Sequence, residues 1–150
     1  MIQVHRAEIL HFIADPEKIV LEESYEHYLD GVLIVERGRV RAVGEYSTLQ
    51  AEIEDLENVE YFEHPNAILM PGFVDTHIHY PQTEMIAAYG EQLLEWLETY
   101  TFPTERQFED KEHARRISKL FLDELLRAGT TTALVFEGST CGSSAVFSAR

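Results

Sequence analysis

The sequence has little cysteine, few basic residues and no long hydrophobic run. A single cysteine, Cys141, among 150 residues cannot form an internal disulfide, which favours a reducing compartment. Only 12 lysines and arginines stand against 27 aspartates and glutamates, a formal net charge of −15. Because phosphate binding needs clustered Lys and Arg, this balance argues against nucleic-acid and anionic-membrane partners. Without a run of roughly 20 apolar residues or a basic-then-apolar start, the sequence predicts a soluble cytoplasmic protein.

The first part of the chain has the pattern of a small β-domain. Hydrophobic residues make up 45% of the sequence, enough to build a packed core. Val32–Glu36 and Arg39–Val43 flank Arg37-Gly38, which predicts a β-hairpin closed by a glycine-containing turn. Val59–Phe62 predicts another strand, which we expect to end at the break His64-Pro65-Asn66.

The pattern changes after residue 66. Ala67–Met70 is a short apolar run, and Gln92–Thr99 predicts a short helix. A longer helix is predicted to start at a cap on Thr104 and to end at Gly129. Its apolar residues at helical spacing are Ala114, Ile117, Leu120, Phe121 and Leu125. Thr130–Phe136 then reads as a buried strand, so the order is that of an α/β barrel or a doubly wound sheet. A closed (β/α)₈ barrel needs about 250 residues and does not fit here.

The chemistry is concentrated in the segment from Pro71 to His79. Side chains alternate along a strand, so His77 and His79 point the same way, with α-carbons about 6.5–7 Å apart. Two imidazoles at that separation can share one ion at zinc–nitrogen distances of about 2.0–2.1 Å. Asp75 lies on the same strand face, where a carboxylate can orient the site or accept a hydrogen bond. The other five histidines show no such pairing, and we expect surface or hydrogen-bonded roles for them.

These residues carry a resemblance to known enzymes. PGFVDTHIH resembles the first-strand signature of the amidohydrolase superfamily, whose members combine a metal-loaded (β/α)₈ barrel with a small flanking β-sandwich. The block HIHYPQTEMIAAYGEQLLEWLETYTFPTERQFED then resembles the guanine deaminase family, above all in its His-Tyr-Pro-Gln, Leu-Leu-Glu-Trp-Leu and Thr-Phe-Pro-Thr-Glu stretches. GTTTALVF is similar to that family's second barrel strand. The likeness covers nearly everything from Met1 to Phe136.

The resemblance implies a division of the chain into two parts. Residues 1–66 would be the amino-terminal part of the small β-sandwich. Residues 67–150 would be the first strands and helices of a TIM-type barrel that is incomplete in this chain. The resemblance also implies a homodimer for the full-length protein.

The resemblance further implies roles for individual residues. His77 and His79 would be ligands of one zinc ion per subunit. Gln82 would contact a purine, with Tyr80 and Pro81 lining the same wall. An amide suits that task because it both donates and accepts hydrogen bonds. No residue of this chain is predicted to be catalytic, since the family's general-base glutamate lies far downstream.

The implied reaction is zinc-dependent hydrolytic deamination of guanine to xanthine and ammonia. An amidohydrolase acting on another heterocycle and a non-catalytic truncated fragment are the alternatives. The cysteine-rich class of zinc deaminases is excluded, because one cysteine cannot supply its ligands. The likeness fades after Phe136, where Glu137–Ser144 lacks the histidine that relatives carry shortly after this strand. A divergent loop, a fragment boundary and an altered reading frame all fit that change.

Overall fold

Residues 1–136 and 144–149 are described by a computed structural model of the chain. The chain divides into two compact units, Met1–Pro71 and Gly72–Arg150. Ile68 and Leu69, which follow the boundary predicted after residue 66, pair with the first strand of the chain. The assignment of the two parts to a β-sandwich and a barrel stays a prediction. Among the described helices, none has the length and apolar character needed to cross a membrane.

The first unit contains a four-stranded sheet. Its strands are β1 (Ile2–Phe12), β2 (Tyr25–Glu36), β3 (Arg39–Glu45) and β4 (Val59–Leu69), in the spatial order β3-β2-β1-β4. β2 runs antiparallel to both β1 and β3, whereas β4 is parallel to β1. The core of this unit is built on the buried side chains of Val4, Val32 and Ile34. The small β-domain expected from the sequence is therefore present.

The predicted hairpin is confirmed. Arg37 and Gly38 connect β2 to β3 with positive φ angles of 53° and 75°. Positive φ at both central residues is the requirement of a type I′ turn, whose twist matches that of the flanking strands. Glu36 accordingly pairs with Arg39 across the turn.

Two features of this unit differ from the expectation. The helix α1 (Tyr46–Glu54) was not predicted; its Leu49 and Ile53 pack against the core. The sequence His64-Pro65-Asn66 does not end a strand, because β4 continues through it. The pairing with β1 shifts register there, and Asn66 has a φ of 59°. A bulge accommodates Pro65, which has no backbone N–H to donate to the sheet.

The second unit contains a mixed sheet of three strands in the order β5-β6-β7. β5 (Phe73–His79) and β6 (Thr130–Phe136) are parallel, and helices lie between them in the chain. The predicted strand Thr130–Phe136 and the α/β class are confirmed. β7 (Ser144–Ser148) was not predicted and runs antiparallel to β6, whereas all barrel strands are parallel. Residues 137–143, including Cys141, lie outside the described residues.

The connection between the parallel strands is more helical than predicted. Instead of one helix over Gln92–Thr99, the chain forms α2 (Leu93–Trp96), a π-helical turn over Leu97–Thr101, and α3 (Phe102–Arg106). Leu93 and Leu94 of α2 are 69% and 74% exposed, so these two apolar side chains do not pack into the core of the unit.

The long helix α4 (Lys111–Arg127) begins later than predicted. The proposed cap at Thr104 is wrong, because that residue lies inside α3 and donates its hydroxyl to the Tyr100 carbonyl at 2.7 Å. Asp110 caps α4 instead, since its carboxylate accepts the backbone N–H of Glu112 at 2.9 Å. The predicted end at Gly129 is confirmed by its φ of 83°.

The core of the second unit lies between α4 and the sheet. Phe121 and Leu125 of the helix pack against Ala133 and Val135 of β6. Full burial of one such Phe, Leu or Val side chain stabilises the fold by about 1.5–3 kcal/mol. Ile117 is also buried, whereas Leu120 is 46% exposed, so the buried stripe is narrower than predicted. This packing fixes the strand pair whose carboxyl ends carry the candidate site.

Candidate metal and purine site

The two candidate ligands converge at the carboxyl end of β5. His77 and His79 lie on the same strand face, as alternation predicts, and their Nε2 atoms are 3.1 Å apart. Two nitrogens bound to one zinc at about 2.0–2.1 Å with a tetrahedral angle would be about 3.3–3.4 Å apart. The observed separation is within a few tenths of an ångström of that value. A separation of 3.1 Å also suits an N–H···N hydrogen bond between the two rings. The pair therefore has the spacing of two ligands of one ion, and imidazole nitrogen is a donor atom that zinc accepts.

Phe136, on the neighbouring strand β6, contacts both imidazoles. Its ring stacks on His77 at a centroid distance of 4.5 Å and on His79 at 5.1 Å. Phe136 is paired with His79 in the parallel ladder, so β6 delivers the ring to this point. The sequence identified Phe136 only as the end of a strand, and nothing in the local pattern indicated its contact with the histidines.

Asp75 accepts a hydrogen bond, as expected for a carboxylate on this face, but from the backbone. Its Oδ1 accepts the N–H of His77 at 2.9 Å. The pairing of β5 with β6 is irregular between Asp75 and Ile78. Asp75 therefore supplies a local partner for the His77 N–H where the ladder is interrupted.

Within the described residues, the second ring nitrogen of His79 lacks a hydrogen-bond partner. This atom, Nδ1, is buried. A ligating histidine usually donates its other ring N–H to a carboxylate, carbonyl or water, which fixes the tautomer. Moreover, no group of three or more His, Cys, Asp or Glu side chains that could hold an ion is present in the part of the chain that the structure describes. The described residues supply a two-ligand half-site.

The histidines open onto a pocket of about 460 Å³ within the second unit. Gln82 lines this pocket and lies in a short 3₁₀ helix, Tyr80–Met85, that follows β5 directly. Trp96 also lines the pocket, and its indole N–H donates to the Ala88 carbonyl at 2.9 Å. The structure therefore brings the His pair and Gln82 together.

Tyr80 and Pro81 do not line this pocket. The Tyr80 ring packs edge-on against Phe108 at 5.1 Å and lies near Phe121 at 6.1 Å. Pro81 is fully buried. The expectation of a shared wall with Gln82 therefore does not match the pocket, because both side chains are directed into the packing. Their role in purine binding stays a prediction.

The Gln82 amide has a partner that the sequence did not reveal. Its Nε2 donates to Oε1 of Glu105 at 3.2 Å, and Glu105 is only 3% exposed. Glu105 belongs to α3, which the sequence did not predict as a separate helix. The Gln82 side chain, which lines the pocket with the histidines, is therefore hydrogen-bonded to a buried carboxyl group.

The remaining five histidines contact other polar side chains. Contrary to the expectation that none of them would pair, His5 and His64 lie next to each other. His5 Nδ1 and His64 Nε2 lie 3.1 Å apart in the first unit, and burial together with the neighbouring His64 lowers the pKa of His5. His27 contacts Glu8 at 2.8 Å. His11 lies 3.0 Å from a Glu26 oxygen, and His113 lies 3.0 Å from a Glu84 oxygen. Neither of these two contacts has the geometry of a hydrogen bond.

Comparison with known proteins gives the class. The model of the amidohydrolase family matches residues 68–149, more than half of the chain, so the chain belongs to the amidohydrolase family. Its similar relatives are guanine deaminases. The guanine deaminase of Escherichia coli (strain K12) is 50% identical over 124 residues, covering 83% of this chain and 27% of the relative. The probable guanine deaminase of Deinococcus radiodurans is 35% identical over 142 residues, covering 93% and 32%.

A solved structure has the same fold over most of the chain. The guanine deaminase from Bradyrhizobium japonicum matches with a TM-score of 0.80 and 37% identity, covering 91% of this chain and 29% of that structure. The chain thus spans between a quarter and a third of the length of these relatives.

Proposed function

We propose that this chain is the amino-terminal part of a guanine deaminase that hydrolyses guanine to xanthine and ammonia at a zinc site. The observation that carries the proposal is that the imidazoles of His77 and His79 converge in a pocket. The next polar side chain that lines this pocket along the chain is Gln82. The similarity to guanine deaminases over more than four fifths of the chain supports the same substrate. Because the chain spans only part of those relatives, the activity belongs to the whole protein.

The chain's own residues have three tasks in this proposal. His77 and His79 hold the metal through their Nε2 atoms, and the Phe136 ring restricts both imidazoles to the converging orientation. Gln82 binds the purine edge by donating and accepting hydrogen bonds. The apolar lining, including Trp96, excludes water from the ring faces. When bound, zinc would make a coordinated water nucleophilic near neutral pH.

Two components of the reaction come from outside the residues described here. Zinc enzymes of this type use three or more protein ligands, and the described residues supply two. The general base is proposed to be a glutamate further along the whole protein, and we assign no residue of this chain to that role. The 150 residues by themselves are accordingly proposed to be inactive.

The test uses the whole protein that contains this segment. His77→Ala and His79→Ala should each lower metal affinity by more than about a hundredfold, because losing even an outer-shell partner costs about 10–100-fold. Xanthine formation should be lost with the metal. His27→Ala is the matched control, since His27 contacts Glu8 in the other unit.

The readouts are metal content by elemental analysis, which separates zinc from iron, and turnover of a panel of amino-substituted heterocycles. Full metal occupancy and activity in both His77→Ala and His79→Ala would contradict the site. Turnover of another heterocycle in preference to guanine would favour the alternative amidohydrolase.

Two properties of the whole protein accompany the proposal. A cytoplasmic location is supported by the single cysteine of this segment. A homodimer is supported only by the family resemblance. Cell fractionation and analytical ultracentrifugation of the whole protein test them.

A further inference from the structure

The contact between Gln82 and Glu105 joins a residue of the candidate site to a buried carboxyl group. Glu105 is 3% exposed, although Glu is among the residues least often buried without a partner. Its Oε1 accepts the Gln82 Nε2–H at 3.2 Å. The two residues come from different elements, the 3₁₀ helix after β5 and the helix α3.

The chemistry of the two groups favours one orientation of the amide. Oε1 of Glu105 acts as the acceptor in this contact, whereas an amide has a donor end and an acceptor end. Turning the Gln82 carbonyl toward Glu105 would place two acceptors against each other in a buried setting, where an unmade hydrogen bond is costly. With its NH₂ group directed at Glu105, the amide keeps its carbonyl oxygen and one N–H for another partner.

We propose that Glu105 is a positioning residue that fixes the Gln82 amide for the purine. Glu105 acts through Gln82 and does not itself touch substrate. The fixed amide presents an acceptor beside a donor, which selects a purine edge with an N–H next to an acceptor atom. This inference rests on the proposed function, because it assigns Gln82 to substrate recognition.

Glu105→Gln in the whole protein tests the inference. The new side chain has nearly the same size but offers both a donor and an acceptor, so either orientation of the Gln82 amide becomes possible. We expect kcat/KM for guanine to fall about tenfold, the value of one hydrogen bond of ordinary strength. Metal content should not change. Glu109→Gln is the matched control, since Glu109 is exposed, lies four residues further on, and loses the same charge.

A double-mutant cycle separates positioning from a general structural role. In a Gln82→Ala background, Glu105→Gln should cause no further loss, because the group through which it acts has been removed. An additive loss in the double variant, or no loss in Glu105→Gln alone, would overturn the inference while leaving the deaminase proposal intact.

A readout that does not need activity completes the test. The side-chain NH₂ resonances of Gln82 should shift in Glu105→Gln and stay in place in Glu109→Gln. If the wild-type protein does not deaminate guanine but the resonances shift, the proposed function fails and the contact stands. Should Glu105→Gln not fold, a guanine-bound neutron structure of the wild type decides, because it distinguishes the amide NH₂ from the carbonyl oxygen. Gln82 Nε2 facing Glu105 supports the inference, and an amide turned away from Glu105 overturns it.

Discussion

Replacing Gly72 by alanine should disrupt the entry to the strand that carries the histidines. A β-carbon built on Gly72 would lie 2.2 Å from both Cγ2 and Oγ1 of Thr131 and 2.7 Å from its Cβ. Ordinary carbon–carbon contact is about 3.5–4.0 Å, so the two strands would have to separate by more than about 1 Å. Overpacking of this kind typically costs about 1–3 kcal/mol.

The size of the effect follows from where the clash falls. Phe73 pairs with Thr130 and Val74 with Thr132, so the clash lies beside the first rungs of the β5–β6 ladder. Separation there would also displace His77 and His79 relative to Phe136. We therefore expect Gly72→Ala to lower both the free energy of unfolding and the metal affinity of the whole protein.

Urea denaturation of four proteins measures the coupling: wild type, Gly72→Ala, Thr131→Gly and the double variant. Thr131→Gly alone should cost up to about 1 kcal/mol, because it lowers β-propensity in β6. The double variant should recover at least about 1 kcal/mol relative to the sum of the single changes, since Thr131→Gly removes all three close atoms. Gly44→Ala is the control, because its nearest contact would be an ordinary 3.5 Å to Leu49. Strictly additive free energies would refute the steric argument.

Two further predictions concern the helix cap and the isolated chain. Asp110→Ala should lower the free energy of unfolding by about 1 kcal/mol through loss of the α4 cap, whereas Asp110→Ser should preserve most of it, as chemical denaturation can show. The 150-residue chain loaded with zinc should form no xanthine, because its described residues supply only two metal ligands. It should also aggregate, because Val74 and Leu94 are 66% and 74% exposed. A cooperative circular-dichroism melt combined with turnover would contradict that expectation.

The elements predicted correctly from the sequence are those whose formation depends on residues close together in the chain. The strand Thr130–Phe136 is rich in β-branched and apolar residues, and the hairpin at Arg37-Gly38 needs only its own turn chemistry. The spacing of His77 and His79 likewise follows from strand geometry alone. These features depend on neighbours in sequence, so the sequence was enough to predict them.

The missed features depend on competition or on distant residues. Thr104 and Asp110 can both cap a helix, and the choice was made by the helical run from α2 to α3, which places Thr104 inside a helix. α1 lacks a side-chain cap at its start, so it gave no start signal. The contacts of Phe136 with His77 and of Glu105 with Gln82 join residues far apart in the chain. Tertiary packing decides such pairs.

The antiparallel strand β7 limits how this sheet can grow. A strand has two edges, and β6 uses one for β5 and the other for β7, so it has no edge left for an additional strand. Within the described residues, the outer edge of β5 carries no partner. A closed ring of parallel strands would need a neighbour parallel to β6 at the place that residues 144–148 occupy. The barrel predicted for the whole protein would therefore require β7 to leave this edge of β6.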